Sequence, residues 1–245
     1  LLTSFIPPEY LLSETKLHNV AYANDLLMVF VYTKLKLYAD QPTVQRLDVI
    51  MKDIAARFKA DTAKFAVAGY DEAGNIALRF TELTYEKPSQ HPVQPKAVMG
   101  IDANVDLFAL WKWSEGQIKK NYYQGSVGDA HYYIDTMTKD YGTIEAHPEN
   151  YERLTPFHSD KETPGNEQFL KTVPVRLYYD TDIDWQLRNR RNSYNDTKMP
   201  AASELIKRLL LMGNTESMRS CRSATLCSRS SLSLFSRYTS EYPAI

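Results

Sequence analysis

The stretch "TAKFAVAGYDEAGNIALRF", Thr62 to Phe80, decides how this chain is read. "KFAVA", Lys64 to Ala68, is a short apolar strand. A tight glycine-bearing turn follows. "GNIALRFTELTYE" then sets Ile76, Phe80 and Leu83 on one side of a helix. The turn has the pattern G-x-D-x-A-G. Gly69 and Ala73 stand two before and two after Asp71, and Gly74 comes next, so strand and helix can pack closely. A turn of this kind lifts one side chain, that of Asp71, above the strand end. The backbone N–H of Glu72 points to the same place, at the positive end of the new helix.

Around this unit the elements alternate. "DLLMVFVY", Asp25 to Tyr32, is an apolar run that predicts a strand buried on both faces of a parallel sheet. In "ADQPTVQRLDVIMKDIAARFKAD", Leu47, Ile50, Met51, Ile54 and Phe58 share a helical face, with Asp40 or Thr43 as the cap. "KAVMGID" (Lys96–Asp102) and "PVRLYYD" (Pro174–Asp180) are further strands, and "PAASELIKRLLLMG" is a helix opened by Pro200 and closed by Gly213. Between the last two strands, an excursion over about 103–170 carries two helical patterns. One has Leu107, Trp111, Ser114 and Ile118 on a face; the other has Ala130, Tyr133, Ile134, Met137 and Tyr141. Strand alternating with helix predicts an α/β fold: a mostly parallel sheet flanked by helices, with a helical cap-like excursion. The first 25 residues show no sustained period, and Pro7-Pro8 argues against a helix there.

At 245 residues with a formal net charge of -1, one large domain is expected and a nucleic-acid partner is not. No run of about 18 apolar residues predicts a membrane span. No phosphate loop or metal-ligand spacing is present, and Cys221 and Cys227 fit no metal pattern, so neither cofactor nor metal is expected. Composition shifts after Thr215. Residues 216–245 are rich in Ser and Arg and hold both cysteines. The expected organisation is one domain over 1–215, followed by an atypical tail that has lost its coding frame near Glu216. Compartment and oligomeric state are left open.

"DTAKFAVAGYDEAGNIAL", Asp61 to Leu78, resembles the nucleophile elbow of the α/β-hydrolase superfamily in its esterase and peptidase-like form. There the elbow is followed by a helix, a strand, a cap-like excursion and a further strand with the acidic triad member just after it. The same order runs here from about Asp25 to Gly213. The resemblance implies an ester- or amide-hydrolysing lineage acting on a small-molecule or peptide substrate. It places Asp71 at the nucleophile position, the N–H of Glu72 at the oxyanion, and Asp182 as orienting acid, with Asp184 second. The departures are specific. Asp71 replaces the serine, Asn75 replaces a glycine, and no oxyanion loop is read upstream. The family's histidine follows the acid, whereas the last histidine here is His158. Both chain ends are therefore expected to be incomplete and turnover to be weak or absent.

Three readings of Asp71 stay open at this level. It is a nucleophile of the dehalogenase or epoxide-hydrolase type, although those enzymes carry Trp where this chain has Glu72. It is a replaced serine in a degenerate hydrolase or a non-catalytic binding protein. Or it is a simple acidic helix cap. His18, His91, His131, His147 and His158 are each expected to be ordinary surface or half-buried residues, with His91 exposed in a proline-rich connector. "RNRRN", Arg188 to Asn192, either meets an anionic substrate group or pairs with Asp180, Asp182 and Asp196. Trp111, Trp113 and the tyrosines at 122, 123, 132 and 133 either line a pocket or pack the cap.

Overall fold

The computed structural model describes residues 1–222. The chain opens with β1 (Leu2–Thr3), α1 (Pro8–Glu14), α2 (Leu17–Ala23), β2 (Val31–Tyr32) and α3 (Gln41–Phe58). The elbow unit is β3 (Ala66–Tyr70) and α4 (Glu72–Glu86), followed by β4 (Ala97–Ile101). The excursion holds α5 (Leu107–Lys120), α6 (Gln124–Tyr141) and α7 (Pro148–Leu154). Then come β5 (Val175–Asp180), the short α8 (Ile183–Trp185), α9 (Met199–Leu211) and β6 (Met218–Arg222).

The strands form one parallel sheet in the order β2-β1-β3-β4-β5-β6. Its middle is the most regular part, with Ala66 opposite Ala97 through Tyr70 opposite Ile101. All the strands run one way, so the residues that follow β3, β4 and β5 emerge at a single edge. In parallel α/β sheets that is the ligand-binding edge.

Local chemistry explains the helix ends. Asp40 caps α3 by accepting from Thr43 N at 2.9 Å, and Lys59 ends it in the left-handed region. Asp106 caps α5 through the N–H groups of Phe108 and Ala109. α4 is sunk in the protein, burying Ala73, Ile76, Ala77, Leu78 and Phe80 against the sheet. α3 and α9 join the same core through Leu47, Met51, Ala202, Leu205 and Leu209. A second core lies in the excursion, where Leu107, Leu110, Trp111, Met137, Tyr151 and Leu154 pack with Leu37 and Tyr38 from the segment before α3. The Tyr38 hydroxyl donates to Asp140.

Several expectations change. Only Val31–Tyr32 of the 25–32 run is strand. Asp25 turns at φ 54°, and Leu26 and Leu27 face solvent, so the first part of this apolar run crosses the surface and only its end enters the sheet. Pro8 starts a helix, because a proline at the first helical position has no N–H to satisfy. Phe58 leaves the core face of α3 and is exposed. The sheet runs past Thr215: β6 pairs with β5 from Arg176 opposite Met218 to Asp180 opposite Arg222, and Ser217 Oγ accepts from Val175 N. The rest of the tail, with Cys227, lies outside the described residues. Among the described residues no helix is long and apolar enough to cross a membrane.

Candidate functional site

The site forms where β3 turns into α4. Asp71 sits at φ 55° and ψ -126°, a region that non-glycine residues rarely occupy and that costs about 1–3 kcal/mol. Its N–H still donates to Ile101 O at 2.8 Å, which fixes the turn to β4. A Cβ on Gly69 would stand 2.0 Å from Ala73 O, and one on Gly74 would stand 2.3 Å from the Ala103 Cβ. The two glycines thus allow the sharp strand-to-helix reversal that the sequence pattern predicts.

The partner of Asp71 comes from an element that the motif does not include. Lys198, at the start of α9, places its Nζ 2.5 Å from Asp71 Oδ1. The same ammonium donates to Asp102 O at 2.7 Å and to Asp102 Oδ2 at 3.1 Å. Asp102 follows β4 in a second left-handed turn, at φ 52°. One cation therefore ties the ends of β3 and β4 to α9. Asp71 keeps 34 % of its side-chain surface accessible and Asp102 48 %, so the cluster is open to solvent at this edge of the sheet. Loss of hydration pushes the Asp71 carboxyl up, but the Lys198 charge and its hydrogen bond outweigh this and hold it below the usual range. Asp102, with the same cation but the Asp71 charge beside it, is raised, chiefly by desolvation.

Glu72 is buried directly behind Asp71. Its Oε1 accepts from the Tyr133 hydroxyl of α6 and, at 3.4 Å, from Asn104 Nδ2. Its Oε2 has no donor among the described residues, which suits an oxygen that carries the acid's own proton. Burial, then the adjacent Asp71 charge, pushes this carboxyl well above the usual range. The pair is best described as a neutral Glu72 behind an ionised Asp71. Asn75 braces the arrangement by donating to Asn104 O at 3.0 Å.

Asp182 emerges at the same edge, after β5, but no hydrogen bond or ion pair joins it to Asp71. Its Oδ1 caps α8 by accepting from Trp185 N at 2.9 Å. No histidine bonds to either acid. His91 is half-buried rather than exposed as expected, with its side chain 6 % accessible, and pairs with Asp48 at 2.9 Å. His158 pairs with Glu152 at 2.7 Å and stacks on Phe108. His147 lies near Glu149 at 3.5 Å. The aromatic residues mostly pack: Trp111 against Tyr151, Trp113 against Tyr133, and Tyr132 against Phe5. Among the described residues no group of three or more His, Cys, Asp or Glu is arranged to hold a metal ion.

Sequence reasoning singled out Asp71 and Glu72, named Tyr133 only among the aromatics that line a pocket or pack the cap, and missed Lys198. Lys198 left one signal. A cation at the N-terminus of a helix opposes the helix dipole, so it needs an acidic partner elsewhere.

No protein-family model and no curated protein sequence matches the chain. Solved structures do. The chain is similar to carboxyl esterase 2 from the mycorrhizal fungus Tuber melanosporum, with 12 % identity and a TM-score of 0.55 over 91 % of this chain and 67 % of that one. It is also similar to a fungal esterase from Rhizomucor miehei, with 12 % identity and a TM-score of 0.53 over 90 % of this chain and 64 % of that one. The chain thus spans about two thirds of the length of these structures. The element order, the parallel sheet and these similarities agree that the fold of the chain is that of the α/β hydrolases.

Proposed function

We propose that the chain comes from an ester- or amide-hydrolysing lineage, that Asp71 stands at the nucleophile position of its elbow, and that the protein turns over substrate weakly or not at all. The observation that supports this most is the Lys198–Asp71 contact at 2.5 Å. A carboxylate held by an ammonium is a poor nucleophile and a poor base, because the contact stabilises the resting anion. Its fixed charge also opposes the oxyanion that acyl transfer would build near the Glu72 N–H. Asp182 fills the orienting-acid position, but its carboxylate is engaged as a helix cap and, among the described residues, no imidazole meets it. The ligand class that this reading implies is a small molecule or a peptide segment.

The same contact favours a second reading, a non-catalytic binding protein on this scaffold. The test is hydrolysis of p-nitrophenyl acetate and butyrate by the chain, by Asp71→Ala and by Asp71→Ser. All three are expected to stay near background, because members of a triad act as a unit and serine alone restores nothing without its base. Clear turnover by the parent that disappears in Asp71→Ala would establish Asp71 as a working aspartate nucleophile.

A further inference from the structure

The "RNRRN" segment contributes a cation within electrostatic reach of Asp102 that the hydrolase reading does not use. Residues 186–190 form a single turn of π-helix after α8, a geometry frequent at functional sites, and Arg191 closes it at φ 54°. The turn is pinned from behind. Asn192 is buried, and its Oδ1 accepts from Gln117 Nε2 at 3.1 Å and from Lys120 Nζ at 2.6 Å, while its Nδ2 donates to Gln186 Oε1 at 3.4 Å. The backbone that carries Arg190 is therefore anchored on the C-terminal end of α5.

The Arg190 side chain is fixed separately. Its guanidinium carbon lies 4.9 Å from the ring centroid of Tyr123 and 4.9 Å from that of Trp185. Tyr123 can fold back to meet it because the next turn begins with Gly125, where a Cβ would stand 2.8 Å from the tyrosine ring. Two aromatic faces thus set the orientation of the guanidinium, yet no hydrogen-bond acceptor satisfies it among the described residues, and its Nε is buried without a partner. The neighbouring arginines differ. Arg188 pairs with Asp184 at 3.7 Å, and Arg191 lies over Tyr122 on the exposed side. Burying a guanidinium N–H without an acceptor is costly, and an oriented planar fork with free donors matches a carboxylate.

Two acids, Asp102 and Asp129, lie within electrostatic reach of Arg190. They disfavour a doubly charged ligand such as phosphate at neutral pH, and the flanking rings favour an apolar body. Resting on the reading of the Asp71 cluster as part of a ligand site, we infer that Arg190 binds the carboxylate of a small monoanionic, aromatic or apolar carboxylic acid whose apolar body lies against the outer edges of Tyr123 and Trp185. Arg190 is then the residue that sets ligand specificity.

The test is binding, not turnover, so it is independent of whether the chain hydrolyses esters. Benzoate, benzamide and inorganic phosphate are each titrated into the whole chain while the indole N–H resonances of Trp111, Trp113 and Trp185 are followed by NMR. Benzoate should shift the Trp185 resonance saturably, and benzamide and phosphate should bind about tenfold more weakly or not at all. Arg190→Gln should abolish the benzoate shift. Arg190→Lys, which keeps the charge but loses the fork, should weaken binding by about tenfold. Arg191→Gln should leave it unchanged. An unaltered benzoate affinity in Arg190→Gln, phosphate binding as tight as benzoate, equal binding of benzamide, or no saturable benzoate shift would each overturn the inference. If Arg190→Gln fails to fold, the Arg190→Lys comparison decides.

Discussion

Replacing Lys198 by Met removes one charge and keeps most of the apolar stem, so the change reports on the ion cluster and not on packing. Lys198 makes three contacts of 2.5, 2.7 and 3.1 Å, two of them to carboxylates. Fully exposed pairs of this type contribute about 0.2–1 kcal/mol, and breaking a fully buried one costs about 3–5 kcal/mol. With 26 %, 34 % and 48 % of the three side chains accessible, screening brings the cluster between these limits. The expected loss is about 1–3 kcal/mol at pH 7, or roughly 3–9 °C in Tm for a domain of this size. The pH dependence has a definite sign. Asp71 is held below its ordinary range in the fold, so its contribution is complete above its unfolded value of about 4 and is lost as pH falls through the lower folded value. Lys198→Met removes that contribution and leaves Asp71 and Asp102 as uncompensated like charges. The deficit should therefore be largest at pH 7 and shrink as the solution is acidified below about pH 4. Urea unfolding followed by tryptophan fluorescence at pH 7 and at acid pH measures both. A deficit that is absent at pH 7, or equal at the two pH values, would refute the account of the cluster.

The neighbouring acid behaves in the opposite way. Glu72 is raised in the fold, so the stability it contributes is present at low pH and lost as pH rises through its folded value. Glu72→Gln keeps an acceptor for Tyr133 and carries no charge, and should match the parent near pH 5 and exceed it at pH 9 in thermal melts; a variant that is less stable at pH 9 would contradict the neutral-acid assignment. Gly69→Ala drives a methyl group to 2.0 Å from a backbone carbonyl that cannot yield, and should cost about 3 kcal/mol or more, read as lost soluble yield or an early urea transition.

The central strands were legible because short apolar runs bounded by turn residues have few alternatives. β3, β4 and β5 fall within about two residues of the predicted spans. The tight turn from β3 into α4 was legible because its two glycines and Ala73 answer to a close approach of backbones. The apolar run at 25–32 misled because hydrophobicity does not specify sheet or surface, and only the positive φ of Asp25 explains its course. Lys198 was the least legible of the site residues. It lies 127 residues from Asp71 in a polar segment with no periodicity, and its role exists only once β3, β4 and α9 are assembled. Tyr133 was placed on the correct face of its helix, but its hydroxyl finds Glu72 only in three dimensions. Asp182 shows the converse: strand order located it, while its side chain serves its own helix turn.

The excursion shares its hydrophobic core with Leu37 and Tyr38 of the main body, and the Tyr38–Asp140 contact crosses the same seam. That junction has a kinetic meaning. An excursion that is packed to the body through a buried core cannot hinge away without exposing that core, so its amides should exchange with solvent only as fast as the whole domain unfolds. Access to the Asp71 cluster is then governed by side-chain rearrangements around it, on the nanosecond-to-microsecond scale, and not by the slower millisecond opening of a hinged cover.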